Sequence, residues 1–118
     1  MALVSPQPFA VEVRAGAREG QQIVQLSGRL TMEGVFRFEQ ALKENPTPVT
    51  IVDMTAVELV DSAGLGAIVM AHVSHHKAGR RLALVGVSGR VAALLALTGL
   101  DPLLTIFDTM EKAQEALV

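Results

Sequence analysis

The chain reads as a single α/β domain built on a mixed, mostly parallel sheet. Three observations predict this. Strand-like runs alternate with helix-period runs along almost the whole length. Two strand-like runs open the chain with only a glycine-bearing turn between them, as in a hairpin. Turn and capping residues stand at nearly every junction. Strand–helix alternation implies right-handed crossovers and parallel neighbours, and the hairpin adds one antiparallel pair.

Residues 1–8, with Ser5-Pro6-Gln7-Pro8, read as an extended tail, and 9–118 as the domain. Phe9, Val11 and Val13 alternate with polar or small neighbours, which is strand periodicity. Gly16 and Gly20 frame a polar turn, and Gln22–Leu26 resumes the alternation. Thr31 is the expected N-cap of a first helix whose inner stripe is Val35, Phe38 and Leu42. Asn45-Pro46 ends that helix. Val49–Met54 is apolar and β-branched, as in a central strand buried on both faces, and Val57–Val60 continues it.

A second helix spans about Ser62 to Lys77, with Leu65, Ile68, Val69, His72, Val73 and His76 expected on one face and Gly79 closing it. Arg81–Val85 is the next strand. Ser88 is placed to cap a third helix, Arg90–Leu97, which stops at Thr98-Gly99. Asp101-Pro102 forbids its continuation. Ile106-Phe107 is a short strand. Asp108-Thr109-Met110-Glu111 has the look of a capping box for a last helix ending near Val118.

Composition narrows the function classes. Half of the 118 residues are hydrophobic and 19% are charged, enough for a core and too ordered a mix for a disordered chain. Aromatics are 3% and the net charge is −2, which disfavours a nucleic-acid partner. Cysteine is absent, so disulfides and thiolate metal sites are excluded. Met1–Pro8 lacks the pattern of a signal peptide, and the apolar stretch Val91–Leu100 is too short to span a bilayer. A cytoplasmic protein without membrane insertion is expected.

The most informative segment is Val60-Asp61-Ser62-Ala63-Gly64-Leu65-Gly66. It puts a hydroxyl where a strand gives way to a helix. Such a helix start carries unpaired N–H groups and the positive end of the dipole, so a phosphate on Ser62 would be favoured there. Asp61 could equally be the cap, with Ser62 at the first helical position. Gly64 and Gly66 lack side chains and would allow a close approach to the backbone, and Leu65 is expected to pack inward.

This order of elements, with Asp61-Ser62-Ala63-Gly64-Leu65-Gly66, Gly28-Arg29-Leu30 and Leu97-Thr98-Gly99-Leu100, resembles the STAS domain. In particular it is similar to the free-standing anti-sigma factor antagonists of bacteria. The resemblance implies a partner-switching protein that is not an enzyme and needs no cofactor. It implies binding to an anti-sigma factor serine kinase, release on phosphorylation of Ser62, and reset by a serine phosphatase. The implied partner surface comprises Asp61, Ala63, Gly64 and Gly66 with Gly28, Arg29 and Thr31. Relatives commonly carry Asp where Thr31 stands, so this chain brings no carboxylate at that position. A monomer or weak homodimer is expected. The alternative is an unphosphorylated structural STAS module in a larger signalling or transporter-associated complex.

Other chemistries fit less well. Val60 replaces the first glycine of a nucleophile elbow, and every histidine lies well inside the second helix. His72 and His76 share a helix face, but Val73 stands where a zincin motif needs Glu, so partly buried, hydrogen-bonded histidines are expected. Gly86-Val87-Ser88-Gly89 lacks phosphate-loop spacing and reads as a turn with a cap. Lys77, Arg80 and Arg81 read as a solvated helix end. Asp53, unusual in an apolar strand, is expected to hydrogen-bond a neighbouring loop.

Overall fold

The computed structural model describes residues 9–118. The tail expected over 1–8 lies outside the described residues. The elements are β1 (Ala10–Ala15), β2 (Gln21–Leu30), α1 (Met32–Glu44), β3 (Val49–Val60), α2 (Ser62–Lys77), β4 (Arg81–Val85), α3 (Gly89–Thr98), a 3₁₀ turn (Asp101–Leu103), β5 (Ile106–Phe107) and α4 (Met110–Ala116). The sheet order is β1-β2-β3-β4-β5, with β1 antiparallel to β2 and every other pair parallel. The mixed sheet and four helices are as the sequence predicts.

Alternation along the strands divides the core between the two faces. Val24, Leu26, Val52, Met54, Leu82 and Leu84 meet Phe38 and Leu42 of α1, Ala67, Ile68 and Ala71 of α2, and Val91 and Leu95 of α3. Ile23, Val49, Ile51, Ala83 and Val85 face the other way, onto Ala113 and Leu117 of the α4 segment. Buried Gln21 ties that segment down, its Nε2 donating to the carbonyls of Gln114 (2.7 Å) and Leu117 (3.3 Å).

β3 is one continuous strand from Val49 to Val60, as expected, with Thr55 and Ala56 joining its two apolar runs. Asp53 helps there, but within its own strand: its Oδ1 accepts from the N–H of Thr55 (3.0 Å) and from the Thr55 hydroxyl (2.6 Å). Several other local expectations are corrected. The buried residues of α2 are Gly64, Ala67, Ile68, Ala71 and His75, a stripe rotated from the one expected. Small residues let α2 lie close to its neighbours, while its longer apolar residues spread around the flanks. Leu65 is only half-buried against the core. Thr31 and Ser88 stand at N-cap positions with extended backbone, yet neither side chain makes a capping bond. Thr109 does cap α4, accepting from the N–H of Lys112. Gly79 and Gly99 end their helices with φ of 74° and 72°, as the sequence predicts.

Candidate functional site

The site forms where β2 and β3 end together and deliver the chain into α1 and α2. β2 pairs with β3 as far as Leu30 opposite Val60, through two register shifts. Gly28 is buried beside the second shift with φ of 83°, so it shapes the strand. Arg29 is exposed and lies 4.0 Å from Glu58. Asp61 continues the ribbon, its N–H donating to the Leu30 carbonyl (3.3 Å).

Asp61 is the organising side chain. Its Oδ1 accepts from the N–H of Gly64 (2.8 Å), which makes it the N-cap of α2. Its Oδ2 accepts from the N–H of Met32 (3.2 Å), the first residue of α1. One carboxylate therefore serves the positive ends of two helices. The charge that Thr31 cannot supply at the start of α1 arrives from Asp61 instead. Ser62 follows as the first residue of α2, and it is exposed. Of the two readings, the cap is Asp61 and the serine stands free beside it.

The two glycines of the motif divide in role. A Cβ on Gly64 would collide with the Leu30 carbonyl oxygen, so this glycine permits the tight packing of α2 against β2. It is buried and offers no approach to a partner. Gly66 is exposed, and a Cβ there would meet nothing within 4 Å. Ala63 and Thr31 are half-buried at the rim. The sequence reasoning missed Met32, which is 75% exposed beside the Asp61 carboxylate. Its signal was an apolar residue at a helix start, off the Val35–Phe38–Leu42 stripe.

The histidines lie at the far end of α2. His75, absent from the expected stripe, is the buried one, its Nδ1 donating to the Ala71 carbonyl (2.8 Å). Burial lowers its pKa below 6.5, with Arg80 and His72 adding to the shift against the opposing backbone hydrogen bond. His76 is exposed. A groove of about 450 Å³ between the later turns of α1 and α2 is lined by Leu42, Lys43, Ala67, Met70, His75 and Arg80 among others. Among the described residues, no three His, Asp or Glu side chains form a metal-binding group. No helix among them is long and apolar enough to cross a membrane.

Comparison with known families matches residues 12–113 to the STAS domain. The chain belongs to the STAS domain family. This STAS domain is also similar to a Thermotoga maritima protein provisionally named an anti-sigma factor antagonist. The two are 35% identical over 78 residues, 66% of this chain and 68% of the relative. An anti-sigma factor antagonist from Mycobacterium paratuberculosis has the same fold, with a TM-score of 0.83 at 24% identity over 98% of each chain. A sulfate transporter family protein from Wolinella succinogenes has a TM-score of 0.74 at 27% identity, covering 85% of this chain and 86% of that one.

Proposed function

We propose that this STAS domain is an anti-sigma factor antagonist that works by partner switching at Ser62. One observation carries the reading: Ser62 is an exposed hydroxyl on the first turn of α2, directly after a carboxylate that fixes the starts of α1 and α2. The unmodified surface around Ser62, with Ala63, Gly66, Arg29, Thr31 and Met32, docks onto an anti-sigma factor that is also a serine kinase. In the transfer, Ser62 Oγ bonds to the γ-phosphorus of the partner's ATP. ADP leaves, and the hydroxyl proton passes to a base on the partner. A serine phosphatase removes the group. The STAS domain supplies the acceptor and the surface, and has no catalytic step of its own.

The switch is electrostatic. Phosphorylation adds about −1.5 to −2 charge beside Asp61. The fold tolerates it at a helix start. A docked partner would have to bury a dianion. A penalty of about 3 kcal/mol weakens binding about 100-fold.

The test is a pull-down from native lysate with unphosphorylated wild type and Ser62→Asp as paired baits. A serine kinase retained by wild type and lost from the aspartate variant is the expected result. A second reading, a structural module of a larger signalling or transporter-associated complex, is favoured by the likeness to the sulfate transporter family protein. It predicts the same membrane-complex partners on both baits and no labelling of Ser62.

A further inference from the structure

Among the described residues β1 is an edge strand, and its outer side is patterned to pair with itself. The N–H of Gly16, one residue past β1, donates to the Gln21 carbonyl (2.9 Å), and Ala15 stands opposite Gln22. In an antiparallel ladder, alternate residues direct both backbone groups to the same neighbour. Gly16, Arg14, Glu12 and Ala10 therefore bond toward β2. Val11, Val13 and Ala15 turn their N–H and C=O groups to the outer edge, which no other described strand pairs with.

The side chains follow the same alternation. Val11 and Val13 stand opposite Leu26 and Val24, on the face covered by α1. Val13 nevertheless remains 39% exposed. Together with Phe36, Arg37, Gln40 and Ala41 these valines line a groove of about 410 Å³ between β1 and α1. Phe36 is 67% exposed at its margin. Glu12 and Arg14 lie exposed on the other face.

We propose that this edge is a homodimer interface, in which β1 pairs antiparallel with β1 of a second copy about a two-fold axis at Val13. The pattern is self-complementary only in that register. Val13 meets Val13 of the partner subunit, and Val11 meets Ala15 of the partner subunit, as hydrogen-bonded pairs. The ladder then gains about six backbone hydrogen bonds. Glu12 falls opposite Arg14 of the partner subunit, twice over, in the closely spaced non-hydrogen-bonded positions where cross-strand charges interact best. Edge charges ordinarily block strand addition. Here the two signs are spaced so that each meets its opposite on a second copy, while Arg14 Nη1 keeps its bond to Gln25 Oε1 of β2 (3.1 Å). The same contact brings the exposed Val13 and Phe36 of both copies toward one seam. One strand pair and this apolar rim fall at the small end of specific interfaces, so the dimer is weak, with a Kd of about 100 µM. Ser62 takes no part in it, so the interface stands or falls separately from the partner switch.

The test is sedimentation equilibrium of the full chain from about 10 µM to about 1 mM, a range that brackets that affinity. Wild type should pass from monomer mass toward dimer mass. Glu12→Arg sets Arg against Arg, and Arg14→Glu sets Glu against Glu, so each alone should stay monomeric. Mixed together, the two single variants should form a heterodimer, because each then meets the opposite charge. Val13→Pro removes an outward N–H without touching the β2 ladder, and should also abolish association. Circular dichroism of every variant checks that the fold is kept. A wild type that stays monomeric at the highest concentration overturns the proposal. So does a dimer indifferent to these substitutions, or a mixture that fails to associate while wild type does.

Discussion

Adding one methyl group to each glycine of the Ser62 motif should move stability in opposite directions. At Gly64 the new Cβ would overlap the Leu30 carbonyl oxygen and lie 3.0 Å from both the carbonyl carbon and Cγ of Leu30. Leu30 is fully buried and its carbonyl is held by the Asp61 N–H, so it has nowhere to retreat. Overpacking of this kind costs ~1–3 kcal/mol. Displacing the helix start also strains the Gly64–Asp61 bond, whose charge-assisted class contributes about 1.5–3 kcal/mol. Helix propensity returns about 1 kcal/mol. Gly64→Ala should therefore be destabilised by about 2–3 kcal/mol. At Gly66 the Cβ meets nothing within 4 Å, so only the propensity gain remains. Gly66→Ala should be stabilised by up to about 1 kcal/mol. The assay is equilibrium urea unfolding of the two variants beside wild type. With a slope near 1.5 kcal/mol per molar, their midpoints should separate by about 2 M. Coincident midpoints, or a Gly64→Ala protein as stable as wild type, would refute the packing argument.

Further outcomes follow from Asp61 and His75. Asp61→Ala removes the acceptor of both helix starts and should cost about 2–3 kcal/mol, with faster amide exchange at both Met32 and Gly64. Exchange accelerated at Gly64 alone would mean that the Met32 bond does not matter in solution. His75 has a folded pKa below the unfolded 6.5, so below pH 6.5 the unfolded chain takes up the proton first. Its contribution to stability is complete above pH 6.5 and is lost as pH falls toward the lowered folded value. The slope from this one group is at most about 1.4 kcal/mol per pH unit. Thermal melts from pH 8 to 5 should show that slope in wild type and a shallower one in His75→Gln. Equal slopes would count against the burial of a neutral ring.

What the sequence reveals follows from how local each cause is. The limits of α2 are legible, because Asp61 before it and Gly79 after it are local signals whose geometry the chain adopts. The stripe that α2 buries is not. Apolar residues occur all around the helix, and close packing of Gly64, Ala67 and Ala71 decides which side faces in. Capping at Asp61 is readable from Asp61-Ser62, whereas its second bond, to Met32, joins residues 29 apart in sequence. The buried role of Gly64 depends in the same way on Leu30. Thr31 is at its expected position, yet its side chain makes no capping bond, and the Gly34 N–H donates to the Thr31 carbonyl instead (2.8 Å). Local grammar locates the site, and long-range contacts assign the work among its residues.

The bonds from Gln21 to the α4 segment also set an order of events during synthesis. They join positions 93 and 96 residues apart. A ribosome adding about 5–20 residues per second needs roughly 5–20 s to cross that gap. Ile23 and the Gln21 amide, joined later by Ile51, have no lid until Ala113 and Leu117 are made. The nascent domain thus presents one finished face, bearing the Ser62 surface, and one raw apolar face. Chaperone engagement during translation should map to that second face, and should end when α4 clears the exit tunnel.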